Sequence, residues 1–323
     1  MGANLLRVAA IQPICKPGPV ADNIAHLETL VGQAAANGAQ LALLPERFPE
    51  AFQFDETAWL AGSPRGGKVE AWITNMARKH SLYLGGSYLE ANGDGFFNTF
   101  VLASPDKGVI GRVGKDHPCS LESYFFQPNP GPQTIDTALG RIGVAICYDN
   151  SLRVVWDHLL AEGFDLLLMP MCAPTPMRNI LYNEKKIIAY HNVLKHAATR
   201  MAQQHGVPVI MANKAGPWDT PLPGWLPDVH STFPGFSHIA DSDGNELARL
   251  DAEEGVVAAT VTLDPARKHL RLAPEADRYR PWAMSVPSDY KTFAIFEFFG
   301  RRSYNKSPRR VEMVRRAVRE DAQ

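Results

Sequence analysis

The sequence predicts an α/β protein whose helices cover the faces of buried sheets. Two observations carry that prediction. Short apolar runs of strand length alternate with longer segments of helical period, and glycine or proline punctuates many of the junctions. Composition agrees: 45% hydrophobic and 21% charged residues over 323 positions allow a large core and leave no part polar enough to stay unfolded.

Each element has its own signal. Residues 6–11 read as a buried strand. Residues 23–36 read as a helix, with Ile24, Leu27, Leu30, Val31 and Ala34 on one stripe and Gly38 just past its end. Leu41-Ala42-Leu43-Leu44 is a second strand closed by Pro45-Glu46, then come a helix over Lys68–His80 and a strand over 82–89. Residues 97–102 and 108–113 form a hairpin across the turn chemistry of Pro105-Asp106-Lys107-Gly108. Residues 142–146 are a further buried run, 154–162 a helix ending at Gly163, and 165–169 a strand. A long helix is predicted over 184–205, stopping at Gly206 before a strand over 207–212. The last strands are 236–240 and Gly255–Leu263, with the turn Ser242-Asp243-Gly244 between them. Residues 216–234, rich in Pro and Gly and carrying Trp218 and Trp225, read as a long ordered loop.

Charge excludes some partners. A formal net charge of −1 gives no bulk field toward nucleic acid or anionic lipid. The tail 301–323 is the exception, with eight basic against three acidic residues. No nucleic-acid motif accompanies it, so a solvated helix or an oligomer contact is the better reading. The four cysteines (Cys15, Cys119, Cys147, Cys172) show neither a disulfide framework nor a CxxC metal site. The N-terminal residues lack a signal pattern, and no apolar stretch reaches the ~20 residues of a membrane span. The expected setting is the cytoplasm, with neither nucleic acid nor membrane as partner.

Three residues stand where a pure core would not put them. Cys147 follows the apolar run Gly143-Val144-Ala145-Ile146 and precedes a predicted helix. A strand running into a turn and a helix exposes a side chain to backbone N–H groups that favour thiolate and oxyanion. Position alone also allows an inert buried cysteine. Glu46 and Lys115 each end a strand, and ligands of open α/β sheets bind beyond such strand ends. Taken singly, either could be a solvated edge residue.

Together the stretches Leu43-Leu44-Pro45-Glu46, Gly114-Lys115 and Gly140-Arg141-Ile142-Gly143-Val144-Ala145-Ile146-Cys147-Tyr148-Asp149 resemble the nitrilase (carbon–nitrogen hydrolase) superfamily. Ala9-Ala10-Ile11-Gln12, Asn98-Thr99, residues 164–170, Ala212-Asn213 and Gly235-Phe236-Ser237 support it, and the likeness covers about 7–263. The resemblance implies a four-layer α-β-β-α sandwich over 1–265, with 266–323 as a C-terminal extension serving as oligomer contact and basic tail. It also implies a Glu–Lys–Cys triad: Cys147 as nucleophile, Glu46 as general base, and Lys115 with the backbone N–H of Tyr148 as oxyanion donors. Glu122 matches a second glutamate of amidase-like members, and Cys172, at another strand end, is expected to line the pocket.

The resemblance further implies a hydrolase of a small amide or N-carbamoyl compound that needs no metal or other cofactor and pairs as a homodimer or higher homo-oligomer. Tyr148-Asp149 favours the amidase and carbamoylase branches, although the Pro-Glu that many amidases carry next is absent and Asn150 sits where nitrile hydrolases often have Asn. The alternatives are a nitrile hydrolase and a catalytically silent binding homologue. His191 and His196 are five apart and lack a third ligand, so a metal site is not expected. His117 beside Lys115 leaves a Cys–His dyad open, and Gly85-Gly86-Ser87 is too short for a phosphate loop. The aromatic segment 289–300 suits a dimer interface, while 173–182 and 216–234 are expected to shape specificity.

Overall fold

The structure, a computed structural model, describes residues 4–179, 182–224, 226–272 and 289–321. Trp225, residues 180–181 of the expected pocket segment and 273–288 of the extension lie outside the described residues.

The first half of the chain comprises β1 (Asn4–Gln12), α1 (Val20–Ala36), β2 (Leu41–Leu43), the short β3 (Ser63–Pro64), α2 (Lys68–His80), β4 (Tyr83–Asn92), β5 (Gly95–Ser104) and β6 (Gly108–Gly114). The second half runs through β7 (Thr134–Thr137), β8 (Gly140–Val144), α3 (Arg153–Glu162), β9 (Leu166–Pro170), α4 (Glu184–Lys195), α5 (Ala197–His205) and β10 (Val209–Ala212). After a hairpin of β11 (Ala215–Thr220) and β12 (Val229–Pro234) come β13 (His238–Ala240), β14 (Glu246–Arg249) and β15 (Gly255–Leu263). Two helices, α6 (Asp289–Lys306) and α7 (Pro308–Asp321), lie beyond them.

Two sheets result. One is ordered β15-β1-β2-β4-β5-β6 with β3 on β4, the other β14-β13-β10-β9-β8-β7. Side-chain alternation explains why they stack. Val8 and Ala10 of β1 pack between the sheets with Leu166 and Leu168 of β9, while Ala9 and Ile11 turn outward onto α1. Leu167 and Met169 likewise turn outward, among residues of α3 and α5. Each sheet is therefore apolar on both faces, and one helical layer covers each outer face. The architecture is the four-layer α-β-β-α sandwich.

Two expectations change. The predicted helix over 184–205 breaks at His196 into α4 and α5. Its cause lies elsewhere in the fold: the ring Nε2 of His238, in β13, accepts from the backbone N–H of Ala198 and caps the second helix. The region 216–234 is a hairpin on a small sheet of its own, and its Trp218 and Phe233 are buried in an aromatic cluster.

The C-terminal helices fold back onto the sandwich. Tyr304 is buried, and its hydroxyl accepts from Phe96 N at 2.7 Å. Met313, Val314 and Ala317 of α7 enter the core cluster that holds Trp59 and Phe96. Asp321 accepts from Lys68 N at 2.8 Å, placing a carboxylate at the α2 N-terminus, where Gly67 offers no side-chain cap. Among the described residues no helix is long and apolar enough to cross a membrane.

Candidate active site

Glu46, Lys115, Cys147 and Cys172 all follow the carboxyl ends of strands, namely β2, β6, β8 and β9. β2 is parallel to β4, and two antiparallel steps through β5 return β6 to the same direction. Backbone bonds stitch the strand ends of the two sheets together: Glu46 N donates to Met171 O at 3.1 Å. Asp116 N and His117 N donate to the Asp149 carboxylate at 2.8 and 3.0 Å. Asp149 thus joins the β6 exit to the β8 turn.

Glu46 and Lys115 are fully buried and paired, with Lys115 Nζ 2.7 Å from Glu46 Oε1. The same ammonium donates to Glu122 Oε2 at 2.6 Å. A short helical turn, Ser120–Tyr124, presents Glu122, whose carboxylate also accepts from Cys119 N. Asn98 Nδ2 donates to Glu46 Oε1 at 2.7 Å. With Oε1 held twice, Glu46 Oε2 is buried and, among the described groups, without a hydrogen-bond partner. In the sequence Asn98 stands out only as part of the family resemblance. Its stronger signal is physical, since a polar side chain inside a buried strand must find a partner.

Cys147 stands in the left-handed region, φ 48°, at the start of a tight turn. The turn Cys147–Ser151 precedes α3, which starts at Arg153, one residue before the predicted 154. A non-glycine residue in that region needs support from its surroundings. Asn150 supplies it, donating from Nδ2 to Ala145 O at 2.7 Å and Cys147 O at 3.0 Å while its backbone carbonyl accepts from Trp156 Nε1 at 2.9 Å. Asn150 is a brace for the turn.

The charges set the proton inventory. Burial opposes the Lys115 charge, but Glu122 and Glu46 outweigh it and hold the ammonium well above its ordinary range. Burial pushes the Cys147 thiol well above its usual range; Glu46 adds to this, whereas Lys115 and the Cys172 N–H pull the other way. A thiol held toward its protonated form would need a base before it could act as a nucleophile. Burial raises Glu122 to about 7 against the pull of Lys115, and the Glu46 charge contributes.

Above these groups opens a cavity of about 310 Å³, lined by Glu122, Cys147, Tyr148 and Cys172 and by an apolar wall. Phe52, Phe54 and Trp218 belong to that wall, as do Met177, Leu194 and Phe293. Phe293, from α6, packs edge-on to Tyr148 at 5.6 Å between ring centroids. The sequence suggests an interface for the 289–300 aromatics, yet Phe293 lines the cavity. His117 Nδ1 lies 3.8 Å from Asp149 Oδ1. His191 bonds Thr175 and His196 bonds a backbone carbonyl of its own helix.

Fold and site together define an α-β-β-α protein that gathers a thiol, a lysine and two glutamates at its strand ends. The chain belongs to the carbon–nitrogen hydrolase family, which matches residues 7–269, within the nitrilase superfamily. It is 26% identical over 245 residues to a citrullinase of Francisella tularensis, covering 72% of this chain and 80% of that one. Over 273 residues it is 26% identical to an N-carbamoylputrescine amidase of Solanum lycopersicum, covering 81% and 87%. A carbon–nitrogen hydrolase of Helicobacter pylori G27 shares the fold at a TM-score of 0.71 and 21% identity, covering 80% of this chain and 89% of that one.

Proposed function

We propose that this protein hydrolyses a non-peptide carbon–nitrogen bond of a small amide or N-carbamoyl compound through a thioester on Cys147. One observation carries the mechanism: Glu46 Oε2 is buried and, among the described groups, without a hydrogen-bond partner, in a cluster whose charges act on the Cys147 thiol. Glu46 takes the thiol proton as the sulphur attacks the carbonyl carbon. The oxyanion that forms is stabilised by Lys115 and the backbone N–H of Tyr148. As the C–N bond breaks, Glu46 returns the proton to the departing nitrogen, which leaves as ammonia or an amine. Water, deprotonated by Glu46, then adds to the thioester; the C–S bond breaks and the thiol is restored. Throughout, Lys115 stays charged because two carboxylates hold its proton.

A nitrile substrate would need the same thiol, but Asn150, the residue shared with nitrile hydrolases, is engaged by the backbone of the Cys147 turn. It therefore adds no weight to that branch. The same reading divides the chain into a hydrolase domain, 1–265, and an extension, 266–323, that completes the pocket and joins copies in a homodimer or higher oligomer. Exposed Ile295, Phe298 and Phe299 on α6 support the second part.

Acid quench of the protein with an amide substrate, followed by intact mass, should show Cys147 carrying the acyl group. Cys147→Ala should lose turnover by about 10⁴-fold or more, as removal of a covalent nucleophile does. Undiminished turnover in that variant sinks the mechanism.

A further inference from the structure

We infer that the cavity above Cys147 takes an uncharged, largely apolar amide, with an alkyl or aryl group beyond the reacting carbonyl, and excludes substrates whose far end is charged. The inference rests on the hydrolase reading above and adds the substrate class to it.

The wall is aromatic and closely packed. Phe52 meets Phe54 at 5.0 Å and Trp218 at 6.1 Å between centroids, and Phe54 meets Trp218 edge-on at 5.8 Å. Tyr190 and Leu194 of α4 and Phe293 of α6 add further apolar surface. At about 310 Å³ the space lies at the small end of ligand pockets, where shape and apolar contact dominate recognition.

Among the described residues the apolar wall carries no charged side chain. Among the described lining residues Glu122 is the one carboxylic acid and no lysine or arginine takes part. Glu122 already accepts from Lys115 and Cys119 N on the floor of the site. Nearby cations are engaged elsewhere. Arg178 is 74% exposed and pairs with Glu184 at 3.9 Å. Arg47 forms a buried pair with Glu50. Lys214 donates to the carbonyls of Arg47 and Glu50, and Lys195 lies over the Phe236 ring at 4.6 Å. Two polar wall residues are also satisfied within the protein. Thr175 Oγ1 and His191 Nε2 bond at 2.9 Å, and Asn179 bonds Met177 O and Tyr182 N at 3.0 Å each.

Among the described lining residues an anion entering this space finds no lysine or arginine and an ammonium finds no carboxylate beyond Glu122, whereas a methylene or ring gains by leaving water. Citrulline ends in an amino acid head and N-carbamoylputrescine in an ammonium, so the pocket here differs in demand from those for which the two relatives are named.

The test is a panel read by ammonia release: propionamide, hexanamide and 3-phenylpropionamide against glutaramic acid, 5-aminopentanamide, citrulline and N-carbamoylputrescine. We expect kcat/KM to rise about fourfold per methylene from propionamide to hexanamide. Hexanamide and 3-phenylpropionamide should exceed the charged compounds of like length by about 100-fold or more. Binding of the same compounds to Cys147→Ala, by calorimetry, should show the same order. A flat methylene series, or preference for a charged compound in either measurement, overturns the substrate class and leaves the hydrolase reading standing. If no compound is turned over and no Cys147 adduct forms, the hydrolase reading fails, and the calorimetric order still decides what the pocket takes.

Discussion

The floor and the wall of the cavity are built on opposite principles. Cys147 and Glu122 line the floor, and behind them Glu46 and Lys115 lie fully buried at strand ends; hydrogen bonds of 2.6–2.7 Å join Lys115 to both glutamates. The wall comes from connecting segments, the β11–β12 hairpin, α4 and a helix of the extension, and it is held by ring packing. Buried charges tolerate little displacement, because each unpaired member carries the whole desolvation cost. Apolar walls accept exchange of similar volumes at modest cost. On the proposed function, chemistry and specificity thus fall to separable parts of the molecule.

That division can be broken by experiment. Glu46→Gln keeps an acceptor oxygen for Lys115 and Asn98 but removes the base. We expect kcat to fall by about 10²–10⁴-fold with the thermal midpoint held, and a loss below tenfold would remove Glu46 from the proton path. Gly300→Val tests whether the extension supports the floor. A Cβ there comes within 2.8 Å of Tyr124 Cδ2 and 2.9 Å of Ser123, in the turn that carries Glu122. Overpacking should cost about 1–3 kcal/mol in denaturant unfolding and lower kcat as that turn shifts. A stability loss with kcat intact would free Glu122 from α6.

Phe293→Ala sharpens the comparison from the other side. It should raise KM for an apolar amide by about tenfold while kcat changes less than threefold, the mark of binding lost equally in ground and transition states. The smallest effect is in pH. Burial lifts the folded Glu122 to about 7 from an ordinary 4.5. Between those values the folded chain holds a proton that the unfolded chain has released, so this contribution to stability is complete below the ordinary range and disappears as pH rises toward 7. Activity should move the opposite way, since the ionised Glu122 is the form that receives two donors. Unfolding midpoints across this range should flatten in Glu122→Gln.

Much of the sandwich was readable along the chain because buried parallel strands must be apolar on both faces. Leu166-Leu167-Leu168 and Leu41-Ala42-Leu43 show this directly, and α2 begins and ends where its pattern says. The break at His196 was not readable, since the residue that makes it, His238, caps Ala198 from 40 positions away. Nor was the β11–β12 hairpin, whose proline- and glycine-bearing strands are held in place by Trp218 and Phe233 packing on Phe52.

Sequence by itself singled out the proposed reactive set: Cys147, Glu46, Lys115 and Glu122 stand at strand ends or in short turns whose order along the chain is specific. Only the tertiary structure decided how they are buried and paired, with Asn98 occupying one oxygen of Glu46. It alone decided the pocket wall too. Phe52, Trp218 and Phe293 are far apart in sequence, and an aromatic residue carries no mark of which cavity it will face. Hydrophobic burial is non-directional, so that choice belongs to packing and not to local pattern.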